Sequence, residues 1–185
     1  MLMMLLDHLL LMIFAPLKGW KRIVRERMPE AVVRSNFVFP LMGVASMASF
    51  LGLVFSEGVP NALKAALITF IAFFGAYFMA SYLINEIVGY FGEEKNLSKI
   101  QVFVGFSSSI LYLLNIIMGL RFLPEFFFLQ IFALYTIYIV WESVGVYFKR
   151  ITDEARAKFT LVSSCLILIS PFLIKKVLGL LMPGL

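Results

Sequence analysis

Long apolar runs constrain this chain more than any other feature of its sequence. Five of them lie at about residues 37–57, 62–84, 101–120, 126–148 and 159–181. Because an α-helix rises about 1.5 Å per residue, each run is long enough to cross a hydrocarbon layer of about 30 Å. The pattern predicts an all-α integral membrane protein with five transmembrane helices in one domain, residues 37–185.

Composition agrees with a membrane protein and excludes other classes. Hydrophobic residues make up 62% of the chain and charged residues 15%, whereas an ordinary soluble domain has about 25% charged residues. A disordered chain is excluded because it would have few large apolar residues. The single cysteine, Cys165, cannot form an internal disulfide.

Residues 1–36 form a separate segment that we place in the cytoplasm and at the membrane interface. Its first apolar run is interrupted at Asp7 and His8 and closed by Pro16, so it is too short to cross the bilayer. We expect an interfacial helix there, with a cleaved or anchoring signal sequence as the alternative.

A short basic amphipathic helix follows and ends before Pro29. Apolar residues recur at helical spacing (Leu17, Trp20, Val24 and Met28), and basic residues fill the other side (Lys18, Lys21, Arg22 and Arg25). Basic amphipathic helices bind anionic membrane surfaces. We predict that Lys18, Trp20, Lys21, Arg22 and Arg25 contact lipid headgroups. Nucleic acid is not an expected partner, because no nucleic-acid-binding motif accompanies the charge.

Lysine and arginine are distributed unequally between the two sides of the predicted bundle. Twelve fall on the side of the N-terminus and four on the other. Positive residues concentrate in cytoplasmic loops, so the N-terminus is expected in the cytoplasm of a cell (inner) membrane protein and the C-terminus outside. Lys175 and Lys176 oppose this orientation for the last run, and a re-entrant last segment is the alternative.

Polar residues line one face of the third run (Gln101, Gly105, Ser108, Tyr112, Asn115 and Gly119) and recur in the fourth (Tyr135, Tyr138, Glu142 and Gly145). From them we select a candidate intramembrane polar site: Glu142, Tyr138, Tyr135, Ser108, Tyr112 and Asn115. These side chains either hydrogen-bond one another inside the bundle or line a polar path. Glu142 is expected about 9 Å inside the membrane, where a carboxylate needs a partner such as Ser108, Tyr82 or water.

Catalytic and cofactor motifs are missing. The one histidine, His8, and Cys165 lie at opposite ends of the sequence, and no phosphate-binding, dinucleotide-binding, nucleophile-elbow or zinc-protease motif occurs. We expect no metal, no cofactor and no enzymatic activity.

Several short motifs together resemble the Yip1-domain family in its small prokaryotic form. They are Pro16-x-x-x-Trp20-x-x-Ile23, Pro40 at the first run, Tyr135-x-x-Tyr138 with Gly145, Lys149-Arg150, and Pro171 in the last run. The resemblance implies a multi-pass membrane protein with a cytoplasmic N-terminus that associates with itself or with other membrane proteins. Eukaryotic members act in early secretory trafficking with Rab-type GTPases, but their acidic-aromatic-Gly-Pro motif is missing here.

Two functional hypotheses follow. The first is a non-enzymatic membrane scaffold or interaction protein whose basic segment, Lys18 to Arg34, engages headgroups or a partner. The alternative is a small ion or solute channel or carrier that uses Glu142.

Overall fold

Every regular element in the part of the chain that the structure describes is helical. The computed structural model describes residues 2–120 and 126–181. The α-helices are α1 (Leu2–Phe14), α2 (Pro16–Glu26), α3 (Glu30–Val33), α4 (Phe39–Ile87), α5 (Leu97–Ser107), α6 (Ser109–Gly119), α7 (Tyr135–Val144) and α8 (Asp153–Leu181). A π-helical turn, Arg34–Val38, joins α3 to α4, and 3₁₀ helices cover Val88–Phe91 and Phe126–Leu134. The sequence also predicts a short turn between the third and fourth runs, at Arg121 to Pro124, and this turn lies outside the described residues.

Helix α4 contains the first two apolar runs, and it is broken at Gly58. Gly58 has φ 79° and ψ 166°, a conformation that is essentially restricted to glycine. The two arms are joined by the Ser46 hydroxyl, which donates to the carbonyl of Ala66 at 2.6 Å, and by a 3.2 Å hydrogen bond between Ser49 and Thr69. The arms therefore pack as a helical hairpin, with its bend in the predicted connection between the runs.

The third run is bent, and the fourth departs from the predicted single helix. Helices α5 and α6 meet at Ser108 with an angle of 42°. The fourth run consists of the nine-residue 3₁₀ helix Phe126–Leu134 followed by the ten residues of α7. Its sequence begins with three phenylalanines, and aromatic residues are weak α-helix formers because they lose rotamer freedom.

Two described helices are long and apolar enough to cross a membrane. They are the broken helical stretch Glu30–Phe91 and α8, and α5 with α6 makes a third if the bent pair counts as one span. By length and composition alone the described helices therefore give two or three candidate spans, whereas the apolar runs predict five.

Helices α1 and α2 form a second hairpin, which packs against the bundle. Pro16 occupies the first turn of α2, where its missing N–H costs nothing. Arg27 ends α2 in a left-handed conformation with φ 47°. The hairpin covers α5, α6 and α7. Helix α2 is thus fixed to the protein along one face.

Aromatic side chains fill the centre of the protein where the hairpin meets the bundle. Trp20 lies 5.9 Å from Phe103 and 5.3 Å from Tyr147, measured between ring centroids. Phe148 and Phe159 continue this cluster, and both are buried. The cluster ties α2, α5 and α8 to the segment that follows α7.

Candidate functional site

The three predicted polar residues of the third run serve different contacts. Ser108 donates its hydroxyl to the carbonyl of Val104 at 2.9 Å. Tyr112 is buried against Phe73, with their ring centroids 5.2 Å apart. Asn115 lines a large pocket between α4, α6 and α8. Ser108 is therefore bonded to the preceding helix, α5, and the expected contact with Glu142 is not among its hydrogen bonds.

The predicted polar residues of the fourth run lie on α7. The hydroxyl of Tyr135 donates to the carbonyl of Ile13 at 2.8 Å, so it helps to hold the end of α1. Tyr138 packs against Tyr135 at 5.4 Å and is largely exposed. Glu142 is half-buried. Neither Glu142 nor its neighbours Tyr135 and Tyr138 lines the large pocket that contains Asn115.

Trp141 and Arg156 form a close pair beside Glu142. The guanidinium of Arg156 lies 4.2 Å from the centroid of the Trp141 ring and donates to the Trp141 carbonyl at 2.9 Å. A guanidinium over an indole ring is a favourable cation–π arrangement. Glu142 is therefore the chain neighbour of an Arg–Trp pair that joins α7 to α8.

Trp20 is a correction to the predicted lipid-contacting set. Its side chain is completely buried, and its indole N–H donates to the carbonyl of Ile139 at 2.9 Å. Ile23 is buried beside it, whereas Leu17 is exposed. Trp20 therefore anchors α2 to α7 instead of facing lipid. Sequence periodicity identified an apolar face but could not tell whether lipid or protein covers it.

The basic side chains of α2 point away from this anchor. Lys18, Lys21 and Arg25 are exposed. Arg22 instead bonds Glu26, with 2.7 Å between the guanidinium Nε and a carboxylate oxygen. Three cations are thus available on the outer face of a helix whose orientation is fixed by Trp20.

Glu26 links the two helices of the N-terminal hairpin. Its other carboxylate oxygen lies 3.1 Å from the buried His8 ring of α1. Partial burial alone would raise the pKa of the Glu26 carboxyl, but the hydrogen bonds and charges of Arg22 and His8 outweigh that effect, and the pKa is lowered. In the sequence His8 interrupts the first apolar run, whereas in the structure its contact with Glu26 closes the hairpin.

A basic groove of about 230 Å³ lies next to the C-terminal end of α2. Its cationic residues come from three distant parts of the sequence: Arg27, Lys99 and Lys149. Its walls are apolar, and Val102 and Tyr147 are among them. The charge count had placed all three cations on one side of the membrane, but only the folded chain brings them to one groove.

Acidic residues near this groove are paired with cations. Glu93 is buried and lies 3.3 Å from the ammonium of Lys99, and Glu94 forms an ion pair with Arg150. Among the described residues, no group of three or more His, Cys, Asp or Glu is placed to hold a metal ion.

A large pocket, about 520 Å³, lies at the other end of the bundle. Its walls are mainly apolar, and Ser49, Asn115, Gln130 and Lys175 add polar groups. The Lys175 ammonium donates to the Asn115 side-chain oxygen at 2.9 Å. It also lies 5.6 Å from the centroid of the Phe73 ring. Asn115 was among the predicted site residues. For Lys175 the sequence indicated only an orientation of the last run in the membrane.

A comparison with protein families matches the Yip1 domain over residues 10–174. The match covers most of the chain. The chain belongs to the Yip1 domain family. This membership, with the apolar helices, supports a membrane protein of the Yip1 type. No curated protein and no solved structure matches the chain significantly.

Proposed function

We propose that this Yip1-domain protein is a five-span, non-enzymatic membrane interaction protein of the cell membrane, and that its cytoplasmic basic surface holds anionic headgroups. The observation that carries the proposal is the anchoring of α2 by Trp20. It leaves Lys18, Lys21 and Arg25 exposed on one face, next to the groove lined by Arg27 and its cationic neighbours. Such a surface recruits acidic lipids or acidic partner segments without a catalytic step.

The Trp141–Arg156 pair supports a membrane boundary at the depth of these two residues. Tryptophan is enriched at membrane interfaces, where its ring is apolar and its N–H is wet. Arg156 also belongs at a headgroup layer because a charged side chain is costly in hydrocarbon. Such a boundary puts Glu142 at the interface instead of about 9 Å inside, so its carboxylate needs no intramembrane partner.

The length of α8 fits this boundary. Lys175 lies nineteen positions after Arg156, which is about 28 Å along an α-helix. The hydrocarbon layer is about 30 Å thick. Arg156 and Lys175 therefore bracket one span, and the Lys175–Lys176 pair marks its far end instead of opposing the crossing.

The fourth run also reaches across the bilayer despite its 3₁₀ segment. A 3₁₀ helix rises about 2.0 Å per residue, so the nine residues Phe126–Leu134 extend about 18 Å. The α-helical stretch from Tyr135 to Trp141 adds about 10 Å. Together they extend about 28 Å, which supports counting this run, the two arms of α4, the bent α5–α6 pair and α8 as five spans.

Quenching of tryptophan fluorescence tests the basic surface in the full chain. Trp20 is completely buried and Trp141 is exposed at the basic end, so lipid bound at that end quenches mainly Trp141. The protein is placed in nanodiscs that contain brominated phosphatidylglycerol or brominated phosphatidylcholine. We expect several-fold stronger quenching by the anionic lipid at low salt and a smaller difference at high salt, because salt screens exposed charges.

Charge reversal supplies the matched comparison. The triple variant Lys18→Glu, Lys21→Glu, Arg25→Glu should lose the preference, because each cation near a membrane surface contributes about 1 kcal/mol. Lys176→Glu, at the opposite end of the bundle, should retain it. Equal quenching by the two lipids in the parent, or an unchanged preference in the triple variant, would contradict the proposal.

The channel hypothesis is not adopted, because the described geometry gives it no particular support. A path that uses Glu142 would have to connect it with Ser108 and Asn115. Ser108 is bonded to Val104, and Asn115 is bonded to Lys175. Ion-dependent flux in proteoliposomes that is abolished by Glu142→Gln would favour a channel over the proposed function.

A further inference from the structure

The ammonium of Lys175 is the feature of the large pocket that indicates an anionic ligand. Among the described residues, no carboxylate lies within ion-pair distance of Lys175. Its only hydrogen bond there is to Asn115. An ammonium carries three N–H donors, so two remain for a group in the pocket that Lys175 lines.

Asn115 is held so that it supports the ammonium. Its side-chain N–H donates to the carbonyl of Leu111 at 3.1 Å, and its oxygen accepts from Lys175. Because an ammonium can only donate, this arrangement fixes the orientation of the amide. The Phe73 ring, whose centroid lies 5.6 Å from the ammonium, restricts it further. The cation is thus positioned at the pocket, although it lies on a long, flexible side chain.

The remainder of the pocket is suited to an apolar chain. Its wall includes Leu114, Met118, Leu168 and Phe172. The volume of about 520 Å³ falls within the range of about 300–1,000 Å³ that is typical of small-ligand sites. A positive group at one point of an apolar pocket is complementary to a molecule with one anionic group and one hydrocarbon chain.

The depth of Lys175 agrees with such a ligand. The spacing of about 28 Å from Arg156 places Lys175 near the far surface of the membrane. An amphiphile at that surface has its anionic group among the headgroups and its chain in the hydrocarbon layer. The Lys175–Asn115 pair and the apolar wall match these two parts in the same order.

We propose that this pocket binds a monoanionic amphiphile, with its carboxylate or phosphodiester group on Lys175 and Asn115 and its acyl chain along the apolar wall. The site is separate from the basic surface at the other end of the bundle. It can therefore exist whether or not that surface binds headgroups.

A displacement experiment on the full chain in nonionic detergent tests the site. The probe is parinaric acid, a fluorescent long-chain carboxylate. Oleate should displace it at least ten-fold more effectively than oleyl alcohol, which has a chain of the same length without the charge. Dioctanoyl phosphatidylglycerol distinguishes the source: stronger displacement by this lipid than by oleate assigns a membrane phospholipid, and the reverse assigns a free fatty acid.

Two neighbouring lysines give a matched pair of variants. Lys175→Met should bind the probe at least ten-fold more weakly and lose the preference for oleate over the alcohol. Lys176→Met should behave as the parent, because Lys176 does not line the pocket. Ala133→Phe, which fills the pocket but keeps the Lys175 charge, should weaken the binding of the probe and of both competitors.

Folding of each variant is checked by the fluorescence of the buried Trp20, which lies at the other end of the bundle. Equal displacement by oleate and oleyl alcohol in the parent would overturn the proposal. So would unchanged probe binding in a folded Lys175→Met variant.

Discussion

At the scale of single residues, Trp20 and Trp141 have opposite roles although both are tryptophans of the same end of the bundle. Trp20 is buried and donates a hydrogen bond to Ile139, whereas Trp141 is partly exposed beneath Arg156. Periodicity placed Trp20 on the apolar face of α2 but assigned that face to lipid. A hydrophobic face is equally satisfied by lipid and by protein, because both are apolar.

Replacing each tryptophan with alanine should separate these roles. Trp20→Ala removes a fully buried side chain and leaves a cavity, which in protein cores typically costs about 3–5 kcal/mol. The matched variant Trp141→Ala removes a partly exposed ring and should cost much less. Equilibrium unfolding in mixed micelles measures the free energy of unfolding of both variants. Equal losses in the two variants would contradict the anchoring role of Trp20.

At the scale of helices, a close approach between α4 and α6 fixes how the first and third runs pack. A Cβ atom added at Gly52 would overlap the carbonyl oxygen of Gly119. A Cβ atom at Gly119 would lie 2.9 Å from the backbone nitrogen of Ser49. Small residues allow this backbone contact. Close packing of this kind lets helices associate in a bilayer, where no hydrophobic driving force acts between them.

Alanine substitution measures the importance of this contact. Gly52→Ala should destabilise the protein by about 1–3 kcal/mol, because the rigid backbone of α6 must move. Gly43→Ala is the control on the same arm of α4, since nothing lies within 4 Å of its added Cβ atom. That control should be neutral or slightly stabilising, as alanine is a better helix former than glycine. A loss of stability in the control alone would contradict the packing.

Sequence spacing identified such contacts only as a class. Ala48-x-x-x-Gly52 has the spacing of a packing face, but so do other small residues in this chain, and Gly119 belongs to the polar face of the third run. Which small residue meets which depends on the 42° bend between α5 and α6. That bend occurs within an apolar run without proline, so local sequence rules did not predict it.

At the scale of the whole molecule, the proposed five spans place the bend at Gly58 and the start of α8 on opposite sides of the membrane. Single cysteines report sidedness once Cys165 is replaced with alanine. Glu57→Cys should react with a membrane-impermeant maleimide from outside intact cells. Glu154→Cys should react only after the membrane is opened. Both positions are exposed, so accessibility depends on the side alone, and labelling of both from the same side would contradict five spans.

The sequence by itself determined the helical class, the family resemblance and two of the places where the main chain turns. These properties depend on local features: the length of apolar runs, the glycine at position 58, and the proline at position 16. They can be deduced without knowing which segments are neighbours. The family match over residues 10–174 confirms the resemblance.

Only the tertiary structure decided which side chains share a site. Arg27, Lys99 and Lys149 meet in one groove, and Lys175 meets Asn115 across sixty positions of the sequence. Hydropathy and charge counts give depth and side in a membrane, but they carry no information about the rotation of one helix against another. Contacts between helices fix that rotation, and the basic groove and the Lys175 pocket both depend on it.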